Sequence, residues 1–126
     1  MSVILLVDDD PAYLYILKTF LNDNGFQTIT LNRGEDVLTT ARTYKPDIIF
    51  LDDWLPGMSG GQICAALKQS ADLAHIPVIL GSAEFRINHH QYSLATQANH
   101  IIEKNLKLAE LKKLIELLIL ESNSEV

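Results

Sequence analysis

Apolar residues are gathered into short runs, and the stretches between them carry helical spacing. Val3-Ile4-Leu5-Leu6-Val7, Ile48-Ile49-Phe50-Leu51, Ile76-Pro77-Val78-Ile79-Leu80 and the short Ile101-Ile102 are nearly unbroken. Such runs, bounded by turn residues, predict strands buried on both faces, the kind found in parallel sheets. Residues 26–31 alternate partly, with Phe26, Ile29 and Leu31 among Gln27, Thr28 and Thr30, which predicts a strand nearer the sheet edge. Asp10-Pro11 opens the first helix, Asp as cap and Pro at the first helical position. Leu14, Leu17 and Leu21, with Ile16 and Phe20, give it a broad apolar face, and Asn24-Gly25 is a left-handed stop. After Asn32-Arg33-Gly34 a short helix carries Val37, Leu38 and Ala41 and ends before Lys45-Pro46-Asp47. Residues 60–70 form a third helix burying Ile63, Cys64 and Leu67, whereas 84–97, with Asn88-His89-His90-Gln91, form a weaker one. The last helix, 106–121, is apolar over much more than one stripe, and 122–126 read as a polar, frayed tail. Strands alternating with helices predict βαβ units, right-handed crossovers and a parallel α/β sheet in one domain, residues 1–121.

Composition narrows the function. The 126 residues fit one domain with a core that needs no staples. A net charge of −6 argues against nucleic acid, because phosphate backbones require a basic face. Cys64 stands alone, so no internal disulfide forms and a reducing cytoplasm is the expected compartment. No apolar stretch is long enough to span a bilayer, and no basic leader precedes the first strand.

The chemistry lies just past the runs. The first ends in Asp8-Asp9-Asp10, the central one in Asp52-Asp53, the third passes Gly81 to Ser82, and the fourth reaches Glu103 and Lys104. Ligands in open α/β sheets bind beyond the carboxyl ends of the strands. If the strands lie side by side, Asp8, Asp9 and Asp52 converge, and carboxylates that close either shift a pKa or bind a cation. An all-oxygen set suits Mg²⁺, above all when phosphate oxygens complete its shell. Lys104 adds a movable cation and Ser82 a hydroxyl, which completes the equipment for phosphoryl transfer onto a carboxylate.

Over nearly its whole length the chain resembles a response-regulator receiver domain, with the CheY-like, flavodoxin-like fold: a doubly wound five-stranded parallel sheet of order 2-1-3-4-5 with helices on both faces. The family's acidic pair matches Asp8 and Asp9, and its phosphoacceptor matches Asp52 through the spacing Asp52-x-x-x-Pro56-Gly57-Met58-x-Gly60. Its switch hydroxyl matches Ser82, followed by Ala83, and its lysine matches Lys104. The resemblance implies that Asp52 attacks the phosphohistidine of a sensor kinase or phosphotransfer protein with Mg²⁺ present. Asp9 would bind the metal directly, Asp8 through water, and the Trp54 main-chain carbonyl would add a ligand. Lys104 and Ser82 would hold the new phosphoryl oxygens, and movement of Ser82-Ala83 would bias a two-state element. The receiver would catalyse only its own phosphorylation and dephosphorylation. With no effector after the last helix, it would pass its output to a partner.

The chain departs from the family pattern in three places. Ile101 stands where an aromatic relay residue is usual, so the family's aromatic relay does not carry over to it, whereas phosphorylation does. Asn105 replaces the proline after the lysine, so a trans bond or visible strain is expected there. Asp53 puts a second charge beside the acceptor; strand alternation points it away, yet it could tighten metal binding or slow an anionic donor.

Rival readings carry different residues. Asp8-x-Asp10 with Ser82 and Lys104 also resembles the haloacid-dehalogenase phosphatases, with Asp8 as nucleophile and Asp10 as general acid, though Asp52 would then be idle. A receiver that no longer signals by phosphorylation and serves as a binding scaffold is the other. Trp54 reads as half-exposed at the rim of the site, Cys64 as a buried small hydrophobe, and His75 and His100 as structural. Adjacent His89-His90 do not share a helix face and read as solvated. Gly57-x-Ser59-x-Gly61 matches a nucleophile-elbow pattern by chance, because Trp54 to Met58 separate it from the strand. Leu114, Leu117 and Leu120 exceed what covering a sheet requires; either a homodimer face or a downstream protein takes them, or neighbouring loops cover them.

Overall fold

The computed structural model describes residues 1–83 and 94–124. Its elements are β1 (Val3–Val7), α1 (Pro11–Asp23), β2 (Gln27–Leu31), a 3₁₀ turn (Gly34–Asp36) leading into α2 (Val37–Tyr44), β3 (Ile48–Asp52), α3 (Gly60–Gln69), β4 (Val78–Ser82), β5 (His100–Glu103) and α4 (Leu108–Ser124). The strands form one sheet in the order β2-β1-β3-β4-β5, parallel throughout. This is the doubly wound order expected from the resemblance, with β2 at the edge as its alternation predicts.

Alternation along the buried strands divides the core in two. Leu5, Val7, Ile49, Leu51, Val78 and Leu80 face α2 and α3, where Val37, Ala41, Ile63, Cys64 and Leu67 meet them. Ile4, Leu6, Ile48, Phe50 and Ile79 face α1 and α4, against Leu17, Leu21, Leu111, Ile115, Leu118 and Ile119. All five residues of β3 and of β4 are buried, which is why Ile48–Leu51 and Val78–Leu80 are apolar without alternation before each strand ends in a polar site residue.

Local chemistry sets the ends of the helices. Asp10 caps α1, its Oδ1 accepting the N–H groups of Ala12 and Tyr13. Ser59 caps α3 in a reciprocal box with Gln62, a structural job for the serine of the chance elbow motif.

Several boundaries and exposures differ from expectation. β4 starts at Val78, because the Ile76 N–H turns back to the Leu73 carbonyl. α4 starts at Leu108 and runs to Ser124, three residues into the segment read as a tail; polar residues there do not interrupt the helix. Leu114 is half-buried against the α1/α4 core, while Leu117 and Leu120 are 51% and 66% exposed. Trp54 is not half-covered but 79% exposed. Of the weak helical stretch, 84–93, including His89 and His90, lie outside the described residues. No peptide bond among the described residues is cis, so Lys104–Asn105 is trans. No helix among them is long and apolar enough to cross a membrane.

Candidate functional site

Strand register assembles the site. Val7 pairs with Leu51, so Asp8 and Asp52 are the next residues along neighbouring strands. Asp52 pairs with Gly81, and Ser82 pairs with Glu103, directly before Lys104. Four strand ends thus deliver side chains to one place. A cavity of about 480 Å³ opens there, lined by Asp8, Asp9, Asp10, Asp52, Asp53, Trp54, Ser82, Ala83 and Lys104.

Asp8 is fully buried, and Asp52, Asp53 and Ser82 are nearly so. Oxygens of Asp8, Asp9 and Asp52 lie within 4.8 Å of one another. Lys104 Nζ bridges two of them, 2.6 Å from Asp8 Oδ2 and 3.0 Å from Asp52 Oδ1. Asp8 Oδ1 accepts the Asp10 N–H, and Asp52 Oδ1 accepts the Trp54 N–H at 3.3 Å. Asp8 Oδ2, by contrast, is in ionic contact with Lys104 but receives no aligned hydrogen bond, so this buried oxygen keeps capacity for a further cation.

Two glycines make the approach possible. A Cβ on Gly60 would sit 2.1 Å from the Asp52 carbonyl oxygen, so the turn after β3 closes only with glycine there. A Cβ on Gly81 would lie 2.8 Å from the Phe50 ring and 3.6 Å from Lys104 Cγ, in the space taken by that ring and the lysine stem.

Burial raises the Asp52 pKa. Lys104 opposes the shift and Asp8 adds to it, leaving the acid above its ordinary value. Burial lowers Lys104, but Asp8 and Asp52 outweigh it and the ammonium ends up raised. Among the described residues lining the site, the carboxylates outnumber the cations.

The expected residues Asp8, Asp9, Asp52, Ser82, Ala83 and Lys104 are brought together, and Trp54 stands at the rim. Ile101 does not line the cavity; it packs half-buried against the α2/α3 core. Asp53 does line it, so alternation has not removed that residue from the site. Asp10, the acid a phosphatase would need, instead has its Oδ1 on the helix cap. Sequence reasoning missed Tyr13, whose ring centroid lies 4.9 Å from Lys104 Nζ; its place one turn after the acidic run was the available signal.

An open parallel sheet with clustered carboxylates and a lysine beyond its strand ends defines a CheY-like, flavodoxin-like domain with an acidic site. The response regulator receiver domain model matches residues 4–116, and the chain belongs to that family. Over 80 residues it is 38% identical to protein PilH of Pseudomonas aeruginosa, covering 64% of this chain and 66% of that protein. It is 32% identical to the DNA-binding response regulator MtrA of Mycolicibacterium smegmatis over 86% of this chain and 46% of that protein. The chain thus spans about half to two thirds of these curated relatives. Among solved structures, the signal receiver domain of a signal transduction histidine kinase from Syntrophus aciditrophicus superposes with a TM-score of 0.91 at 29% identity, covering 100% of this chain and 96% of that one. Response regulator TrrA of Thermotoga maritima, solved in complex with Mg²⁺-BeF, superposes at 0.83 with 28% identity over 94% and 99% of the two chains. With the family shown and Asp10 used as a cap, the phosphatase reading has no support left.

Proposed function

We propose that Asp52 accepts a phosphoryl group from a phosphohistidine of a sensor histidine kinase or phosphotransfer protein. The observation that carries this reading is the convergence of Asp8, Asp9 and Asp52 within 4.8 Å, with Lys104 bridging Asp8 and Asp52. A carboxylate oxygen of Asp52 attacks phosphorus, the P–N bond breaks, and the imidazole leaves with the electron pair. Lys104 and Ser82 hold the transferred oxygens. Asp52 is both nucleophile and part of the acidic set, so its burial keeps the reacting oxygen away from bulk water.

The donor set fits Mg²⁺, being all oxygen and including the under-bonded Asp8 Oδ2. Asp9 and Asp52 would hold the ion, with Asp8 through water and the Trp54 carbonyl as a further ligand. Bound there, Mg²⁺ supplies positive charge to the phosphoryl oxygens. The Mg²⁺-BeF complex of TrrA supports this choice of metal.

The domain modifies only itself, and its output passes by a shift of Ser82-Ala83 or by onward transfer. The exposed Leu117 and Leu120 of α4 are the surface we assign to an output partner or a second copy. A reducing cytoplasm is its natural compartment, given the lone Cys64.

Incubation with Mg²⁺ and a small phosphodonor, followed by intact-protein mass spectrometry, tests the reading. Wild type is expected to gain one phosphoryl group and Asp52→Asn none. If wild type takes up no label, the domain is a binding scaffold and the acceptor role is wrong.

A further inference from the structure

The contacts of Lys104 differ in how long they outlast the reaction. Two are carboxylates, Asp8 Oδ2 at 2.6 Å and Asp52 Oδ1 at 3.0 Å. Another is the face of Tyr13, 4.9 Å from Nζ to ring centroid, within the range of a cation–π contact. Resting on the phosphoacceptor reading above, phosphorylation converts the Asp52 carboxylate into an acyl phosphate, and a metal held through water at Asp8 shares that carboxylate with Lys104. Both ionic anchors therefore change during the cycle. The ring does not.

The ring is also well held. Tyr13 lies in the first turn of α1, where its own N–H is part of the Asp10 cap. It packs at 46° and 6.3 Å between centroids against Phe50, which is fixed in the centre of β3. Phe50 in turn fills the space that the missing side chain of Gly81 leaves, and the Lys104 stem runs over the same gap. Tyr13, Phe50 and Gly81 thus form a slot for one lysine side chain. Burial pushes the Tyr13 hydroxyl up to about 12, so the ring brings no additional negative charge to a crowded acidic site.

We propose that Tyr13 is a positioning residue for Lys104: its ring face keeps the ammonium aimed at the acceptor while the carboxylate partners are exchanged for metal and phosphoryl oxygens. A tyrosine that merely fills space would be replaceable by any apolar residue of similar size. A positioning ring would be replaceable only by another ring.

The test compares wild type, Tyr13→Phe and Tyr13→Leu by two readouts. The first is the NMR shift of the Lys104 ε-methylene protons, assigned by their loss in Lys104→Met. Ring current should move them upfield in wild type and Tyr13→Phe and return them to ordinary lysine values in Tyr13→Leu. The second is the initial rate of phosphoryl uptake from a small phosphodonor with Mg²⁺. Tyr13→Phe should stay within about twofold of wild type, and Tyr13→Leu should fall by about threefold to thirtyfold, the range that losing a cation–π contact allows. Tyr13→Met replaces the leucine variant if that protein does not fold. Uptake by the leucine or methionine variant at the wild-type rate overturns the proposal, as does Tyr13→Phe falling equally far. Ring-shifted Lys104 in a wild type that takes no phosphate would overturn the acceptor reading and leave the ring contact standing. Unshifted Lys104 in wild type overturns the positioning role whatever the phosphate does.

Discussion

Lys104 and Lys68 stand at opposite ends of the same sheet, both half-buried, and are shifted in opposite directions. Lys104, beyond the carboxyl ends of the strands, lies between Asp8 and Asp52 and is raised in spite of its burial. Lys68, at the end of α3, donates to the carbonyls of Ala74 (3.2 Å) and Ile76 (2.8 Å) just before β4, and burial lowers it. Carbonyl dipoles satisfy hydrogen bonds without offsetting the loss of solvation of a full charge; carboxylates do both. One lysine therefore belongs to a charged, reactive centre and the other ties down a loop. The family pattern singles out Lys104 but says nothing of why the two titrate differently. Their surroundings explain it.

The largest expected effect is at the reactive end. Lys104→Met removes the cation bridging Asp8 and Asp52 and should lower phosphoryl uptake by about a hundredfold or more, as losses of charge-stabilising groups do. The same change should tighten Mg²⁺, because the carboxylates lose their internal cation; fluorescence of the exposed Trp54 reports the titration. Weaker Mg²⁺ binding in Lys104→Met would show that the lysine organises the carboxylates and does not compete with the metal.

Much of this centre could be read from residue order, for a physical reason. Two-sided burial of β3 makes Ile48 to Leu51 an unbroken apolar run, and the carboxylate of Asp52 at its end is conspicuous. Which strands are neighbours was not legible in the apolar pattern, since every buried parallel strand looks alike; the order came from the resemblance. Nor could spacing show which leucines of α4 face outward. With so many, the helix's rotation is set by packing against Leu17 and Leu21, and Leu114 turned inward while Leu117 and Leu120 did not. The exposure of Trp54 depends on how the chain leaves β3 before the Pro56-Gly57 turn, a tertiary outcome. Lys68 was invisible because its partners are main-chain carbonyls, which carry no sequence signal.

A pH series sharpens the contrast. A raised lysine contributes stability that is fully present below the ordinary lysine range, about 10.4, and lost as pH rises through its folded value. A lowered one works in reverse: its contribution is present above the ordinary value and lost as pH falls through the depressed folded value, because the charge must then be buried. Pulse labelling with an amine-acylating reagent, read residue by residue by mass spectrometry, should show the Lys68 rate levelling off at lower pH than that of a free lysine. The Lys104 rate should still be climbing at that pH. Matching profiles would erase the distinction.

Stability is the next and smaller measure. Lys68→Met keeps the stem and deletes two hydrogen bonds from a charged donor, for an expected loss of about 1–3 kcal/mol in urea unfolding. Phosphoryl uptake should not change, since Lys68 lies at the far end of the sheet. A loss of uptake with intact folding would mean that the two ends are coupled through β4, and the division of roles would fail.

The smallest expected effect concerns Cys64, one turn before Lys68 on α3. Burial pushes this thiol up to about 11, with Lys68 opposing the shift. Below pH 9 or so the sulfur is therefore uncharged and offers the ammonium no ionic partner. If solvation and the two carbonyls alone set the Lys68 titration, Cys64→Ala should move the Lys68 labelling rate by less than about twofold in that range, despite the proximity of the two residues. A larger change would place a thiolate beside Lys68 at neutral pH. Lys68 would then have an ionic partner of its own, and the contrast with Lys104 would be one of degree.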